Sequence, residues 1–362
     1  MMKKEILVIG AGPAGLMAAI HAAETGAQVL LVERAEGLGG QLIKQTHKFF
    51  GSKAEYAGDR GIDIAAKLID WSKKLSNIMI WTKATVLGIY PDGVVTISHE
   101  GKFTLVKPEK IIVATGAAEK TMAFPNNDLP GIYGAGAAQT LMNVHSVLPG
   151  KRMLMVGAGN IGVIVAYQLM QAGVKVVGVV EAAPQIGGYR VHAAKLQRNG
   201  VPIYTSHSIK AAHGTEVLEG VTICKLDEKW QPIEGSERYI AIDGLCLSVG
   251  LTPLTELLWQ AGCKMEFINE LGGYVPLRDA NMMTTNSNIF IAGDVAGVEE
   301  ASAAMIEGKL AGLYVAAMLG HQKDWFLQDF QLAKQQLSAL RSGPASAKVC
   351  VGLSKAILEE VV

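Results

Sequence analysis

The apolar positions of this chain fall into short unbroken runs, and those runs recur in two similar blocks. Residues 6–9 form the first run. A glycine cluster follows at once, then a helix-length apolar stretch, then a second apolar run ending at Glu33. The same order returns from residue 153, with a second glycine cluster and a second strand ending on Glu181. Each block carries a Gly-Gly pair six residues past its carboxylate, and a single slipped residue relates the two copies. Between the blocks the pattern predicts a long helix over 61–75 and strands near 79–87, 93–98, 103–108 and 110–114, with a hairpin or meander around Asp92-Gly93. A stretch rich in Pro, Gly and Asn from about 117 to 134 reads as a linker, and Pro149-Gly150 ends the helical stretch after it. Past the second block comes a strand over 288–292, then Gly293-Asp294, then a helix; the last forty residues predict two helices broken near Ser342-Gly343-Pro344.

Repeated strand–helix–strand blocks of this type predict an α/β protein with two Rossmann-like dinucleotide-binding domains. If the Asp294 segment belongs beside the first glycine cluster, the first domain is discontinuous and the second is inserted into it. The expected boundaries are 1–116 with 251–320 for the first domain, 117–150 for a linker, 151–250 for the second domain, and 321–362 for a short helical C-terminal extension.

The glycine clusters carry the chemistry. In Gly10-Ala11-Gly12-Pro13-Ala14-Gly15, Gly10 permits the tight turn, Gly12 lets backbone approach a pyrophosphate, and Gly15 lets helix and strand pack closely. The helix N-terminus then offers partial positive charge to the phosphates. Glu33 lies 21 residues after Gly12, where a carboxylate can accept hydrogen bonds from adenosine ribose hydroxyls. Gly157-Ala158-Gly159-Asn160-Ile161-Gly162 repeats the fingerprint, with Glu181 following Gly159 by 22 residues. A carboxylate at that point favours NAD over NADP, because it repels a 2′-phosphate and the nearest basic residue, Arg190, lies nine residues on. The alternatives at this second cluster are an adenylate or glycines kept only for packing. Asp294 reads either as a helix N-cap or as a ligand contact. Ala301, Ser302, Ala303 and Ala304 either leave room for a flat ring or serve tight helix packing.

Composition narrows the class. The chain has 362 residues, 49% of them hydrophobic and 18% charged, which suits two globular domains and not a disordered chain. Lys plus Arg and Asp plus Glu number 33 each, so no global field draws the protein toward nucleic acid or anionic membrane. Cys224, Cys246, Cys263 and Cys350 form no CxxC, which argues against a redox dithiol or an iron–sulfur site built by this chain and fits a reducing, cytoplasmic setting. The eight histidines show no short metal-binding spacing, and no triad of Ser, His and Asp is suggested. His47 stands apart only because it follows Gly39-Gly40-Gln41. No export signal is read at the N-terminus, and the run after Ala301 carries Glu307 and Lys309, so it reads as a packed helix and not as an integral membrane segment.

Over about residues 3–320 the chain resembles the flavoproteins with two dinucleotide-binding domains, the pyridine nucleotide-disulfide oxidoreductase-like proteins, without their redox CxxC. The resemblance rests on Glu33-Arg34, Gly39-Gly40-Gln41, Ala114-Thr115-Gly116 and the strand leading to Gly293-Asp294. It implies that Arg34, Gly40, Gln41, Ala114, Thr115, Gly116, Gly293, Asp294 and Ala303 join the glycine cluster in binding FAD, with Asp294 on the ribityl chain. Gly39-Gly40-Gln41-Leu42 is similar to thioredoxin reductases, but their CxxC is missing here: Cys224 and Cys246 lie 22 residues apart. The segments 129–135, 243–253 and 291–301 resemble more closely the FAD/NAD-binding subunit of hydrogen cyanide synthase, opine oxidase and dye-linked proline dehydrogenase complexes, and the nucleotide-binding part of the sarcosine oxidase alpha subunit. Many of those relatives carry a cysteine-rich iron–sulfur domain, whereas the tail here has only Cys350.

That resemblance implies an FAD-dependent NAD(H) oxidoreductase serving as the electron-transferring subunit of a multi-subunit amine or amino-acid dehydrogenase. Its expected partners are a small iron–sulfur protein and a second FAD-containing dehydrogenase subunit. The apolar tail, with Trp325, Phe326, Phe330, Leu332 and Leu337, is expected either at an interface or packed on its own domain. The competing readings are a stand-alone NADH-dependent flavin reductase of a small acceptor, quinone or electron carrier, and a non-catalytic scaffold.

Overall fold

A computed structural model describes residues 1–358. They form two compact units, one comprising Met1–Ala118 and the chain from Leu251 onward, the other Glu119–Gly250. The second unit is therefore inserted into a discontinuous first one.

The first unit opens with strand β1 (Met2–Ile9), helix α1 (Pro13–Glu24) and β2 (Val29–Val32); α2 (Gly61–Lys74) leads to β3 (Ile78–Trp81), and β4 (Ala84–Ile89), β5 (Val95–His99) and β6 (Lys102–Val113) follow. β3, β2, β1 and β6 pair in parallel, while β4, β5 and the start of β6 form an antiparallel meander. The parallel strands are continuous apolar runs because helices and meander cover both faces: Ile6, Leu7, Val8, Leu30 and Leu31 are fully buried. The strand expected over 79–87 is two strands, turned at Lys83 with φ +51°. The strands expected over 103–108 and 110–114 are one. Pro108 is tolerated inside β6 because its missing N–H falls between Val106, where the β5 ladder ends, and Ile111, where the next partner strand begins.

β7 (Ala117–Glu119) ends the first unit's opening segment and runs into the inserted unit, which contains β8 (Ile132–Gly134), α3 (Ala135–Asn143), β9 (Arg152–Val156), α4 (Asn160–Gln171), β10 (Lys175–Glu181), α5 (Arg190–Arg198), β11 (Ile203–Thr205), the antiparallel β12 (His207–His213), β13 (Gly220–Lys225) and β14 (Arg238–Ala241), and β15 (Gly244–Leu247). Its parallel sheet runs β11-β10-β9-β15-β8. The stretch 117–150, read from sequence as a linker, therefore holds an edge strand and a packed helix. The Gln139 amide of α3 donates to the Gln168 carbonyl of α4 at 2.8 Å, both side chains buried. The loop-forming residues end near Gly131, and beyond them small and apolar residues complete the sheet.

The chain returns through β16 (Leu251–Pro253), α6 (Glu256–Gln260), the hairpin β17 (Met265–Ile268) and β18 (Gly273–Pro276), and β19 (Ile289–Ile291), which pairs in parallel with β6. Helices α7 (Ala301–Met318), α8 (Phe326–Arg341) and α9 (Ala347–Ala356) finish it. α7 lies so close to α1 that a Cβ on Gly308 would sit 2.1 Å from the Ala14 carbonyl oxygen, and one on Gly312 would sit 2.3 Å from that of Ala18. On α8, Phe326, Phe330, Ala333 and Leu337 are buried, a helical stripe that packs on this same unit, while Leu327 and Leu332 remain exposed.

Candidate functional site

Both glycine clusters fold into the same hydrogen-bonded turn. In the first, Gly10 has φ +99°, and a Cβ there would lie 2.4 Å from the Ala114 carbonyl oxygen; a Cβ on Gly15 would lie 1.8 Å from the carbonyl of Gly10. Gly12 caps α1 and Pro13 opens it, the position where proline's missing N–H costs nothing. The Glu33 carboxylate takes the Ala11 N–H at 2.8 Å and the Ala35 N–H at 2.8 Å, so it braces the loop from outside. Gly39 donates to the Ala11 carbonyl at 2.8 Å. Gly40, with φ +53°, approaches so closely that a Cβ would sit 2.7 Å from Gly12 Cα. Arg34 and Gln41 are exposed beside this turn.

The inserted unit repeats each bond. Gly157 has φ +97° and faces the Ser248 carbonyl, where a Cβ would come to 2.1 Å; Gly162 stands against Gly157 as Gly15 does against Gly10. Glu181 accepts from Ala158 N–H at 2.7 Å and Ala183 N–H at 2.9 Å. Gly188 donates to the Ala158 carbonyl at 2.8 Å, the bond Gly39 makes in the first copy. By this bond the Gly-Gly pairs slip by one residue, while Gly188 also makes the close approach to Gly159 that Gly40 makes to Gly12, a Cβ there lying 2.8 Å from the Gly159 carbonyl carbon. Asn160, which replaces Pro13, accepts the Tyr189 N–H on its side-chain oxygen at 2.8 Å and ties this turn to the start of α4. Gly159 has open space around its Cβ position, and Ile161 is exposed. Neither α1 nor α4 carries an acidic residue in its first turn, which leaves both N-termini fit for phosphate oxygens. Gly12 and Gly159, where a Cβ would meet no protein atom closer than 3.9 Å, and two acid-free helix starts leave the space and the partial charge that fit the diphosphate of a dinucleotide.

The segments expected to converge on the first turn do so. Ala114 N–H donates to Ile9 at 2.8 Å, the Thr115 hydroxyl donates to the Leu254 carbonyl at 2.7 Å, and Gly116 has φ +73°. A Cβ on Gly293 would sit 2.9 Å from Ala14 Cβ, which puts Gly293-Asp294 against the beginning of α1. Asp294 does not cap α7, whose N-cap is Glu300. Its carboxylate instead accepts the Glu299 N–H at 3.3 Å, and burial pushes its carboxyl up to about 7. An acid held there lacks donors that a sugar-like hydroxyl would provide. Ala303 and Ala304 are buried, and Ala304 Cβ lies 3.4 Å from where a Cβ on Gly293 would sit.

Sequence reasoning missed four contributors. Ser248-Val249-Gly250 ends its strand as Ala114-Thr115-Gly116 does, a likeness readable in the sequence. Gly188 was visible only as half of a repeat. Arg278 and Arg341 reach Glu307 from 29 and 34 residues away, with no local signal. His47 lies in a loop after a short 3-10 turn, its ring stacked on Phe49 with centroids 5.8 Å apart. Cys224 and Cys246 sit in buried strands of the inserted unit; burial pushes the Cys246 thiol up to about 12, so it is held as an inert thiol. Among the described residues no group of three or more His, Cys, Asp or Glu is placed to hold a metal, and no helix is long and apolar enough to cross a membrane.

An opine oxidase subunit from Agrobacterium tumefaciens is 29% identical over 87% of this chain and 66% of its own length. Hydrogen cyanide synthase subunit HcnB of Pseudomonas protegens is 29% identical over 87% of this chain and 70% of its own. Both are subunits by name, and the chain spans a little under two thirds of the opine oxidase relative. The L-proline dehydrogenase of P. horikoshii shares the fold, with a TM-score of 0.68 over 91% of this chain and 59% of that one, at 24% identity. The pyridine nucleotide-disulphide oxidoreductase model matches residues 4–308, and with both glycine turns built as that fold requires, the chain belongs to this family and is an FAD-dependent oxidoreductase.

Proposed function

We propose that the first unit binds FAD through Gly10, Gly12, Pro13, Ala14, Gly15, Glu33, Gly40, Ala114 and Asp294, that the inserted unit binds NAD(H), and that the chain is the electron-transferring subunit of an amine or amino-acid dehydrogenase complex. The observation that carries the nucleotide assignment is the duplicated brace, in which a strand-end glutamate holds the glycine loop in each unit. FAD, when bound, supplies the hydride chemistry. The chain's own residues hold the two diphosphates on backbone N–H groups, keep the loops rigid through Glu33 and Glu181, and present the Asp294 carboxylate to a ligand hydroxyl. Glu33 and Glu181 each spend two acceptor positions on backbone and retain others for ribose. The subunit role is supported by the relatives, named as subunits of opine oxidase and hydrogen cyanide synthase. Exposed Leu327 and Leu332 leave apolar surface for a partner. The burial of Phe326, Phe330 and Leu337 favours the second reading, a stand-alone NADH-dependent reductase, because most of the tail is used internally.

Purification from native cells at low salt separates the two. A co-purifying FAD-containing dehydrogenase subunit, with released FAD in excess of one per copy of this chain, is the expected result. A homo-oligomer with full NADH-linked turnover on a small acceptor would promote the second reading.

The nucleotide preference follows from Glu181. Replacing Glu181 with Gln and adding an arginine at Ala182 should narrow the NADH-over-NADPH ratio by about tenfold or more, since a carboxylate–phosphate repulsion becomes an attraction. Stopped-flow flavin reduction with each nucleotide measures it, and an unchanged ratio would place nucleotide reading elsewhere.

A further inference from the structure

The Gly293-Asp294 turn is held by a buried set of charges that reaches the C-terminal helix. Glu307 is 2% exposed; one of its oxygens takes the Gly293 N–H at 2.9 Å, and the other takes Arg278 Nη2 at 3.0 Å and Arg341 Nη2 at 2.7 Å. Arg341, near the end of α8, also grips Glu299 with Nε at 3.0 Å and with Nη2. Glu299 in turn donates its N–H to Asp294. Arg278 does not serve both carboxylates: its Nη1 goes to the Asp279 carbonyl at 3.2 Å, and its buried Nε finds no acceptor among the described residues. Arg341 is thus the side-chain partner of Glu299 and a second cation on Glu307. A buried carboxylate that loses its partner is strongly disfavoured.

We propose that Arg341 is a positioning residue for the flavin, acting through Glu307 and Glu299 to fix the Gly293-Asp294 turn and to balance the negative charge beside the cofactor cradle. The inference rests on the reading that the first unit binds FAD. It makes the C-terminal helix part of the cofactor site. Without Arg341, Glu307 keeps Arg278 while Glu299 loses the guanidinium that holds it beside Asp294. The added negative potential opposes electron gain by a nearby flavin, because charge near the ring tunes its reduction. The turn also loses a forked anchor that lysine cannot reproduce.

The test is FAD titration of the apoprotein and a redox titration of the reloaded protein, for wild type, Arg341→Gln, Arg341→Lys and Leu337→Ala. Leu337 is a buried apolar residue of the same helix with no charge or hydrogen-bonding group of its own, so its truncation reports loss of packing. Arg341→Gln should raise the FAD dissociation constant about tenfold or more, through loss of the charge-assisted bonds to Glu299 and Glu307, and shift the midpoint to more negative potential. Arg341→Lys should keep the midpoint near wild type and weaken FAD by an intermediate factor. Leu337→Ala should lower the melting temperature and leave both flavin readouts unchanged. Arg341→Gln matching wild type, or matching Leu337→Ala, overturns the proposal; if Arg341→Gln does not fold, wild-type FAD affinity in Arg341→Lys overturns it. A wild-type protein that takes up no FAD overturns the FAD reading instead.

Discussion

Gly10→Ala should yield a destabilised protein that holds no FAD, whereas Gly157→Ala should keep its FAD and lose reduction by NADH. The two substitutions add the same methyl group to the same turn in different units. At Gly10 the backbone has φ +99°, and the new carbon would lie 2.4 Å from the Ala114 carbonyl; at Gly157 the figures are φ +97° and 2.1 Å from Ser248. An L residue in the left-handed region costs about 1–2 kcal/mol, and relieving the clash costs about another 1–3 kcal/mol. For units of this size that corresponds to roughly 5–15 °C in melting temperature. The local damage is also functional. Ala114 N–H is bonded to β1, so pushing its carbonyl away disturbs the strand end that lines the loop, and the Ala11 N–H held by Glu33 moves with it. The same chain of effects in the inserted unit runs through Ser248, Ala158 and Glu181. Flavin content after gel filtration and anaerobic stopped-flow reduction by NADH are the measurements. FAD retained by Gly10→Ala at wild-type stoichiometry would remove the first turn from the cofactor site. Loss of FAD in Gly157→Ala together with unchanged stability would assign the turns the other way round.

Much of this was legible because strand-end carboxylates and glycine turns are local signals. Glu33 and Glu181 lie at fixed spacings from their loops, and the structure puts each on the loop's own N–H groups. Sequence spacing aligned the Gly-Gly pairs directly, yet hydrogen bonding aligns Gly39 with Gly188, because the second connection is one residue longer. Pro108 looked like a strand end, since the pattern cannot tell which side of a strand will go unpaired. The stretch 117–150 looked like a linker because its first half is rich in turn residues; that Ile132 would complete a sheet depends on β15, more than a hundred residues later. The charge set was the least visible. Glu307 and Lys309 within α7 read as the mild polar content of a packed helix, and only the fold shows that Glu307 is buried while Lys309 turns to Asp329 at 2.6 Å.

Asp294→Asn should stabilise the apoprotein above neutral pH and at the same time weaken FAD binding. Burial raises the Asp294 carboxyl to about 7, against about 3.9 for an unfolded aspartate. The folded state therefore binds this proton more tightly than the unfolded state does. Its contribution is fully present below about pH 4, is lost as pH rises toward 7, and stays lost above that. Three units correspond to about 4 kcal/mol at most, and part-exposure of the side chain argues for about 2–4 kcal/mol. An asparagine cannot ionise, so the variant's apoprotein should lose this slope and exceed wild type in stability at pH 8. FAD works in the opposite direction. A ligand hydroxyl donating to the ionised carboxylate makes a charge-assisted bond worth about 1.5–3 kcal/mol, which an amide oxygen matches only in part. About a tenfold loss of FAD affinity at pH 8 is the expected outcome. Denaturant melts of wild-type and Asp294→Asn apoprotein at pH 4.5 and pH 8, alongside FAD titrations, give both signs in one experiment. Glu299, also raised by burial, lies close enough for its charge to raise Asp294, so the comparison reads the loss of the Asp294 charge together with its effect on Glu299. An apoprotein variant less stable than wild type at pH 8 would mean that Asp294 is ionised and satisfied before any ligand arrives. Unchanged FAD affinity would mean that its carboxylate faces no ligand hydroxyl.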